Sequence, residues 1–465
     1  MLNKQIIMNG LLATALSASA LAQSQENEVY IDQIGDDNTG VVNQGFNLED
    51  APSQGYALEN YAKMLQEGSN HTATILQGFN GGTAKYNTAD LTQKGDANTG
   101  DIEQGFDNGV AENNMATLTQ DGYANEADIE QGYDEGVARY NHSTVTQYGT
   151  GNSGSTEQGG NDAAVAEYNT ITLLQDGENN ESEIDQGDEA GEAFYNDIIV
   201  EQYGTGNDAD VFQGDDEGIA EYNDITLLQD GESNIADIDQ GEDEGSVARY
   251  NNITMTQYGY ENDGDIEQGD QGGVAEYNTI TLLQDGEGND SQIDQGDEDG
   301  TARYSSITVE QYGNDNESDV FQGDDEGLSE ENTATLWQDG DENAAEIFQG
   351  DEEGIARYNT AVLTQEGIGN EAIIAQAFGA GTVSEYNEAT IDQKGDYNDA
   401  NIAQGFGEDL SAPVVDNWAM IEQAGNENAS TVFQAGTEDL SDVYQYGNTN
   451  TANVGQGGFT EVIIP

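Results

Sequence analysis

Cysteine is absent from the 465-residue chain, which excludes both disulfide staples and thiol chemistry. Histidine occurs only at His71 and His142, too few for a histidine-based metal or catalytic cluster. Lysine and arginine number 9 against 93 aspartates and glutamates, for a formal net charge of -84. Nucleic acid is a poor partner for such a chain, because phosphates need basic neutralisation. Apolar residues make up 35%, below the roughly 45–50% of ordinary globular domains, which argues against a large oily core. Beyond the amino terminus no apolar run approaches the ~20 residues of a membrane helix.

The first 22 residues carry one charge, Lys4, followed by an apolar stretch from Ile6 to Leu21. Ala20-Leu21-Ala22 has the small-x-small form of a cleavage site. Residues 1–22 therefore read as a secretory signal peptide and the mature chain, without a transmembrane segment, as a secreted protein.

Nearly all the rest of the chain is one motif, Asn-x5-Gln, used in pairs. The arms are Asn87/Gln93 with Asn98/Gln104, then Asn114/Gln120 with Asn125/Gln131, Asn141/Gln147 with Asn152/Gln158, Asn169/Gln175 with Asn180/Gln186, and Asn196/Gln202 with Asn207/Gln213. First-arm glutamines recur every 27 or 28 residues from Gln93 to Gln393, and less regular pairs at Gln33, Gln66, Gln423 and Gln445 bring the total to 16. A fixed period of this size defines a stacked-repeat architecture.

Each arm alternates with period two. Asn, Gln and an aliphatic residue share one face: Leu91, Leu118, Val145, Leu173 and Val200 in first arms, Ile102, Ile129, Ile184 and Val211 in second arms, with Thr156 as a lapse. Threonines and acids fill the other face. A helix would scatter these residues around its axis. The expected fold is all-β: a two-sided parallel β-solenoid of about 16 coils over residues 23–457, with amyloid-like stacking, irregular stretches at 45–60 and 405–416, and a tail at 458–465.

Buried amides are costly singly, but an identical amide above and below completes the donors and acceptor of each, and also sets the register. Asn opens 29 of 32 arms, the exceptions being His71, Ser305 and Asp439, and Gln closes all 32, so an inward ladder is expected rather than a solvated surface. Gly95, Gly122 and Gly149, in the Gln-x-Gly-x-x-Asn link, are placed at a sharp bend. The longer link ends in Ala-x-Tyr-Asn, and Tyr140, Tyr168, Tyr195 and Tyr222 are expected to form a stacked row at the wide edge.

Units such as Asn125-Glu-Ala-Asp-Ile-Glu-Gln131 and Gln120-Asp-Gly-Tyr-Ala-Asn125 resemble curlin repeats, found in the secreted subunits of curli, the functional amyloid of bacterial biofilms. The resemblance covers about residues 27–457. It implies export through an outer-membrane pore, a nucleator and accessory proteins as partners, self-association into filaments, and fibres that hold cells and surfaces in a matrix. The coils here are longer and more numerous than is usual in that family.

The acids gather in runs such as Asp215-Asp216-Glu217, Glu242-Asp243-Glu244, Asp324-Asp325-Glu326 and Asp351-Glu352-Glu353. Stacking sets like charges one rung apart, so assembly is expected to need salt or nonspecific divalent cations such as Ca2+, with no cofactor and no specific metal site. Carboxylates that recur on every rung do not make a singular active site, and no enzyme activity is expected. Two rival readings are a non-polymerising, cation-binding acidic surface adhesin, and an ice-binding β-solenoid using the outward row Thr117, Thr144, Thr172, Thr226, Thr254, Thr281, Thr308 and Thr335, which Ile199 and Val362 interrupt.

Overall fold

The computed structural model describes residues 24–45, 55–160, 164–187, 191–214, 218–241, 245–269, 271–296, 299–324, 326–351, 353–379, 381–406 and 413–456. The expected leader, the tail and parts of the two irregular stretches lie outside these residues. All regular structure described is β-strand. The chain divides into two compact units, Met1–Glu232 with Glu242–Glu244, and Ser233–Gly241 with Gly245–Pro465. Each is a parallel β-solenoid built from the same coil, and each holds eight first-arm strands.

One coil of the first unit shows the construction. The first arm is the nine-residue strand Met115–Tyr123, and the second is Glu126–Gln131. Both alternate in burial, so that Ala116, Leu118 and Gln120 point inward from one and Ala127, Ile129 and Gln131 from the other. The chain turns between them at Ala124, whose φ is 54°. Gly132 at φ 66° leaves the second arm, and Gly136 N–H donates to the Tyr133 carbonyl to close a tight turn.

The longer link then does something its length did not announce. Val137–Arg139 forms a third, three-residue strand, and its copies stack into a third parallel sheet. The two long faces are thus joined along the wide edge by a narrow strip of strand. Only its middle residue points inward, and that residue is small because the wedge between the faces is narrow: Ala111, Ala138, Ala166, Ala193 and Ala220 are fully buried. Tyr140, at φ 58°, turns the chain into the next coil.

Coils lie directly over one another. Gln120 is opposite Gln93 on one side and Gln147 on the other, and Leu118 is opposite Leu91 and Val145. The second arms repeat this with Ile129 opposite Ile102 and Thr156. Thr156, the lapse in the aliphatic row, is buried; its hydroxyl lies 2.9 Å from that of Ser143, which itself stands where the neighbouring coils carry Ala116 and Ile171. Two polar substitutions therefore satisfy one another inside the core.

Candidate functional site

Because strands alternate faces and coils stack in register, every arm-closing glutamine enters the interior above its copy. In the first unit Gln93 Nε2 donates to Gln120 Oε1 at 2.9 Å, Gln120 to Gln147 at 2.8 Å, Gln147 to Gln175 at 2.8 Å and Gln175 to Gln202 at 2.8 Å. The second-arm row runs Gln104, Gln131, Gln158, Gln186 and Gln213 at 2.8–3.0 Å. The second unit repeats both rows, for example Gln257 to Gln284 to Gln311 at 2.9 and 3.0 Å. The direction never reverses. Wherever two glutamines pair, Nε2 donates toward the following coil, and in first arms from Gln66 to Gln423 it also donates to a backbone carbonyl, as Gln120 does to Thr99 at 2.7 Å.

The asparagines behave differently from the expected amide-on-amide stack. In first arms Asn87 Oδ1 accepts the backbone N–H of Asn114 at 2.8 Å, while Asn87 Nδ2 donates to the Ala111 carbonyl at 2.8 Å. Asn114, Asn141, Asn169 and Asn196 repeat this pairing. The cause is the corner: a left-handed residue precedes each Asn and diverts the backbone, so the side chain substitutes for the missing ladder partner. In second arms Asn98, Asn125, Asn152 and Asn180 also accept the next coil's N–H, at 3.0 Å. Side-chain-to-side-chain ladders do occur there, at Asn207 to Asn180 and, in the second unit, along Asn262, Asn289, Asn316, Asn343 and Asn370. His71 stands in for an amide with Nδ1 accepting from Asn98 N–H at 3.3 Å, and burial lowers its pKa.

Gly122 does not make the bend. It lies within the first-arm strand at φ 153°, and a Cβ there would sit 1.9 Å from the Gly149 carbonyl oxygen. In this coil the corners belong to Ala124 and Tyr140, and in the following coils the place of Ala124 is taken by Gly151, Asn179 and Gly206. Tyr140, Tyr168, Tyr195 and Tyr222 all hold φ of 58–63°, and their rings stack at 4.8 Å centroid spacing. The same row continues in the second unit through Tyr250, Tyr277 and Tyr304.

The residue between Ala and Tyr in the longer link does not stand out at the 27-residue period. Five of the nine basic residues nevertheless occupy it: Lys85, Arg139, Arg249, Arg303 and Arg357. In the first unit Lys85, Glu112, Arg139 and Glu167 form a chain of ion pairs, and in the second Arg249, Glu276 and Arg303 do so, as do Glu330, Arg357 and Glu385. The signal in the sequence is a sign alternation within Ala-x-Tyr, at twice the coil period.

Carboxylates concentrate on the outer face of the second arms. Asp101 and Asp128 are register partners, as are Glu103 and Glu130. Burial, then Glu130, Asp101, Asp128 and Asp107, push Glu103 up to about 8; burial and then Asp101 and Glu126 push Asp128 to about 6. In the second unit burial, Glu317, Glu346 and Asp290 raise Asp319 to about 6. Groups raised in this way bind more protons in the folded than in the unfolded chain, so stability is lost as pH rises through their folded values and regained on acidification. Between pH 8.5 and 5.5 the coils of Glu103 and Asp128 are expected to gain on the order of 2 kcal/mol, well below the full linkage value because these carboxyls are partly solvated. Glu103→Gln should reproduce most of that gain at pH 8.5 and little at pH 5.5. Hydrogen exchange across Thr99–Gln104 and Glu126–Gln131 measures it, and protection that falls on acidification would contradict the assignment.

Among the described residues no group of three or more His, Cys, Asp or Glu is arranged to hold a metal ion. Of the acidic runs, 215–217 and 242–244 lie outside the described residues; Asp324 and Asp351 use their carbonyls to accept Gly327 and Gly354 N–H in tight turns. The outward threonines align within each unit, but Thr172 faces Ile199 and Thr335 faces Val362.

Each unit also presents a terminal coil. Strands Glu28–Asp36 and Thr39–Gln44 pair on one side only, as do Leu440–Tyr446 and Thr451–Gln456. Tyr30, Ile34 and Val41 are exposed on the former and Leu440, Tyr444 and Tyr446 on the latter.

No curated protein matches the chain. Residues 111–149 match the curlin associated repeat. That span holds one complete coil and the first arm of the next, with Asn114, Gln120, Asn125, Gln131, Asn141 and Gln147 in the ladder positions. These matched residues are similar to a curlin repeat, and the coils before and after them carry the same ladder positions.

Proposed function

We propose that the protein is a secreted structural subunit of a curli-like fibre, in which copies join end to end and the fibre attaches cells and surfaces within a biofilm matrix. The observation that carries this reading is the polarity of the glutamine rows. Interior glutamines accept on Oε1 from the preceding coil and donate from Nε2 to the following one. The first coil spends Gln33 and Gln44 Nε2 on Gln66 and Gln77, which leaves their Oε1 atoms on the outer edge. The last coil receives from the preceding one and directs Gln445 and Gln456 Nε2 only to backbone carbonyls. A donor edge on one copy thus matches an acceptor edge on the next.

Continuing the native register across copies sets Gln445 on Gln33, Val443 on Ile31, Gln456 on Gln44 and Val454 on Val42. It also sets Tyr444 over Asp32 and Asp442 over Tyr30, so the exposed aromatic groups meet carboxylates rather than water alone. Charge favours the same joint. Strands Leu440–Tyr446 and Thr451–Gln456 carry one acid, Asp442, whereas the matching strands Asp197–Thr205 and Asp208–Gln213 carry Asp197, Glu201, Asp208 and Asp210. Salt or divalent cations would speed assembly by screening the rest. Export through an outer-membrane pore and seeding by a nucleator complete the reading by family analogy.

Incubation of the full chain at 0.15 M salt should give unbranched fibres in negative stain with a meridional reflection near ~4.8 Å. Val443→Asp with Val454→Asp should slow growth at least about tenfold while leaving the β-rich circular dichroism of the monomer unchanged. A chain that stays monomeric, a fibre lacking that reflection, or wild-type growth in the double variant overturns the proposal.

A further inference from the structure

The 27-residue coil is not the true repeat of the outer surface. Two exposed rows on different sheets alternate with a period of two coils, and they alternate in phase. In the short sheet of the first unit the row reads Lys85, Glu112, Arg139, Glu167, each opposite the next in register. In the second unit it reads Arg249, Glu276, Arg303, Glu330, Arg357, Glu385. The residue after the first-arm glutamine alternates as well: Asp121, Tyr148, Asp176, Tyr203, Asp230 in one unit and Tyr258, Asp285, Tyr312, Asp339 in the other. The coil with Asp121 carries Arg139, and the coil with Tyr148 carries Glu167. The coils with Asp285 and Asp339 carry Arg303 and Arg357, and those with Tyr258 and Tyr312 carry Glu276 and Glu330. In two of the tyrosine coils the ring hydroxyl also donates to a glutamate on its own strand, Tyr203 to Glu201 and Tyr312 to Glu310, each at 3.1 Å.

We propose that this alternation is a register code that makes a growing solenoid edge accept the next coil in sequence and reject the one after it. The interior cannot make that choice. Gln closes every arm, and Asn and an aliphatic residue recur in nearly all of them, so a segment one coil too far along would satisfy the glutamine rows equally well. The outer rows distinguish the two. Addition in sequence sets Glu276 on Arg249, and skipping that coil sets Arg303 on Arg249; skipping the coil of Tyr312 and Glu330 sets Arg357 on Arg303 and Asp339 on Asp285. The skip exchanges an ion pair for a like-charge contact at one strand spacing in the short sheet, and where the omitted coil carries Tyr it also sets Asp on Asp in the first-arm row. Only odd-numbered skips are opposed in this way, since skipping two coils restores the pattern. Each half-exposed pair is worth little by itself, about 0–1 kcal/mol, but it acts at the step where competing segments are otherwise equivalent.

Between Lys85 and Glu167 in one unit and between Arg249 and Glu385 in the other the code is unbroken, but the first unit then departs from it. Phe194 stands where a cation is due, opposite Glu167 on one side and Glu221 on the other. Slippage should therefore concentrate at this coil.

The absence of native cysteine makes the test direct. Outward Thr254 is the register partner of Thr281, which is the partner of Thr308. A T254C/T281C pair reports native stacking. A T254C/T308C pair lies two coils apart, about 9.6 Å at the usual strand spacing, beyond disulfide reach unless a coil has been skipped. The full chain is refolded from denaturant and oxidised with each pair. Three backgrounds are compared: the parent, a neutral row (R249Q, E276Q, R303Q, E330Q, R357Q, E385Q) and an inverted row (R249E, E276R, R303E, E330R, R357E, E385R). All three have the same net charge. The skipped cross-link should rise about tenfold in the neutral row and stay at the parent level in the inverted row. In the first unit, T172C/T226C should show more skipping than T254C/T308C, and F194R should lower it several-fold. Equal skipping in the neutral row and the parent, excess skipping in the inverted row, or no effect of F194R overturns the code.

Discussion

Alanine at Gly122 is expected to strip amide protection from the strands on both sides of it by about a thousandfold, the equivalent of at least about 4 kcal/mol. Two independent costs add at this position. The backbone holds φ 153°, a region that residues with a Cβ avoid at about 1–3 kcal/mol. The new methyl would also meet the Gly149 carbonyl oxygen at 1.9 Å, and that oxygen belongs to the next coil's strand rather than to a side chain that could rotate away. Gly149 stands in the same relation to Gly177, and Gly177 to Gly204, so a displaced coil meets the same obstacle further along. Hydrogen exchange across Thr88–Asp96, Met115–Tyr123 and His142–Thr150 is the measurement, because a repeat array need not unfold in two states. Thr117→Ala on the outer face should change protection by less than about threefold. Ala124→Gly should raise it, since Ala124 occupies a left-handed corner that glycine adopts without strain. Protection in Gly122→Ala within tenfold of the parent would show that the strand can move away from its neighbour, and the close approach of coils would lose its role.

That pair of substitutions also marks the boundary of what the amino-acid order discloses. Alternation over seven residues is long enough to assign faces, so the inward placement of Leu118, Ile129, Gln120 and Gln131 follows from period two alone. A glycine in a link between strands has two distinct uses, a left-handed corner or a close approach between backbones, and composition does not separate them. The corners went instead to Ala124 and Tyr140, residues that no preference for glycine would select. Tyr140 stacks its ring on Tyr168, a contact that exists only once the coils are in place. The strand Val137–Arg139 is three residues long, too short for periodicity to register, although its buried Ala138 recurs as Ala or Ser in most copies. The asparagines were legible as buried amides, but their pairing depends on the corner before them, so the partner of Asn87 Oδ1 proved to be a backbone N–H. The ion-pair row required comparing alternate coils, whereas the 27-residue period directs attention to adjacent ones.

Leucine at Gln284 should be the most damaging side-chain change in the second unit, at about 2–4 kcal/mol, although it replaces a buried amide with an apolar group of similar length. Gln284 accepts from Gln257 Nε2 at 2.9 Å, and its own Nε2 reaches Gln311 Oε1 at 3.0 Å, the Asp263 carbonyl at 2.6 Å and the Asn289 carbonyl at 3.1 Å. Leucine removes all four contacts. Gln257 Nε2 keeps the Ile235 and Asn262 carbonyls, at 2.6 and 3.4 Å, so the heavier loss falls on Gln311 Oε1, left in the interior without its donor. Because the row donates in one direction only, the damage should be asymmetric, with larger loss of protection in Ser306–Asn314 than in Asn252–Tyr260. Gln284→Leu combined with Gln311→Leu should cost less than the two single changes added together, since the second change removes the acceptor that the first one orphaned. Hydrogen exchange on the single and double variants reads both signs. Symmetric loss, or strict additivity, would mean that the amides act as space-filling groups, and the directional match between the terminal coils of successive copies would then have no basis in the interior rows.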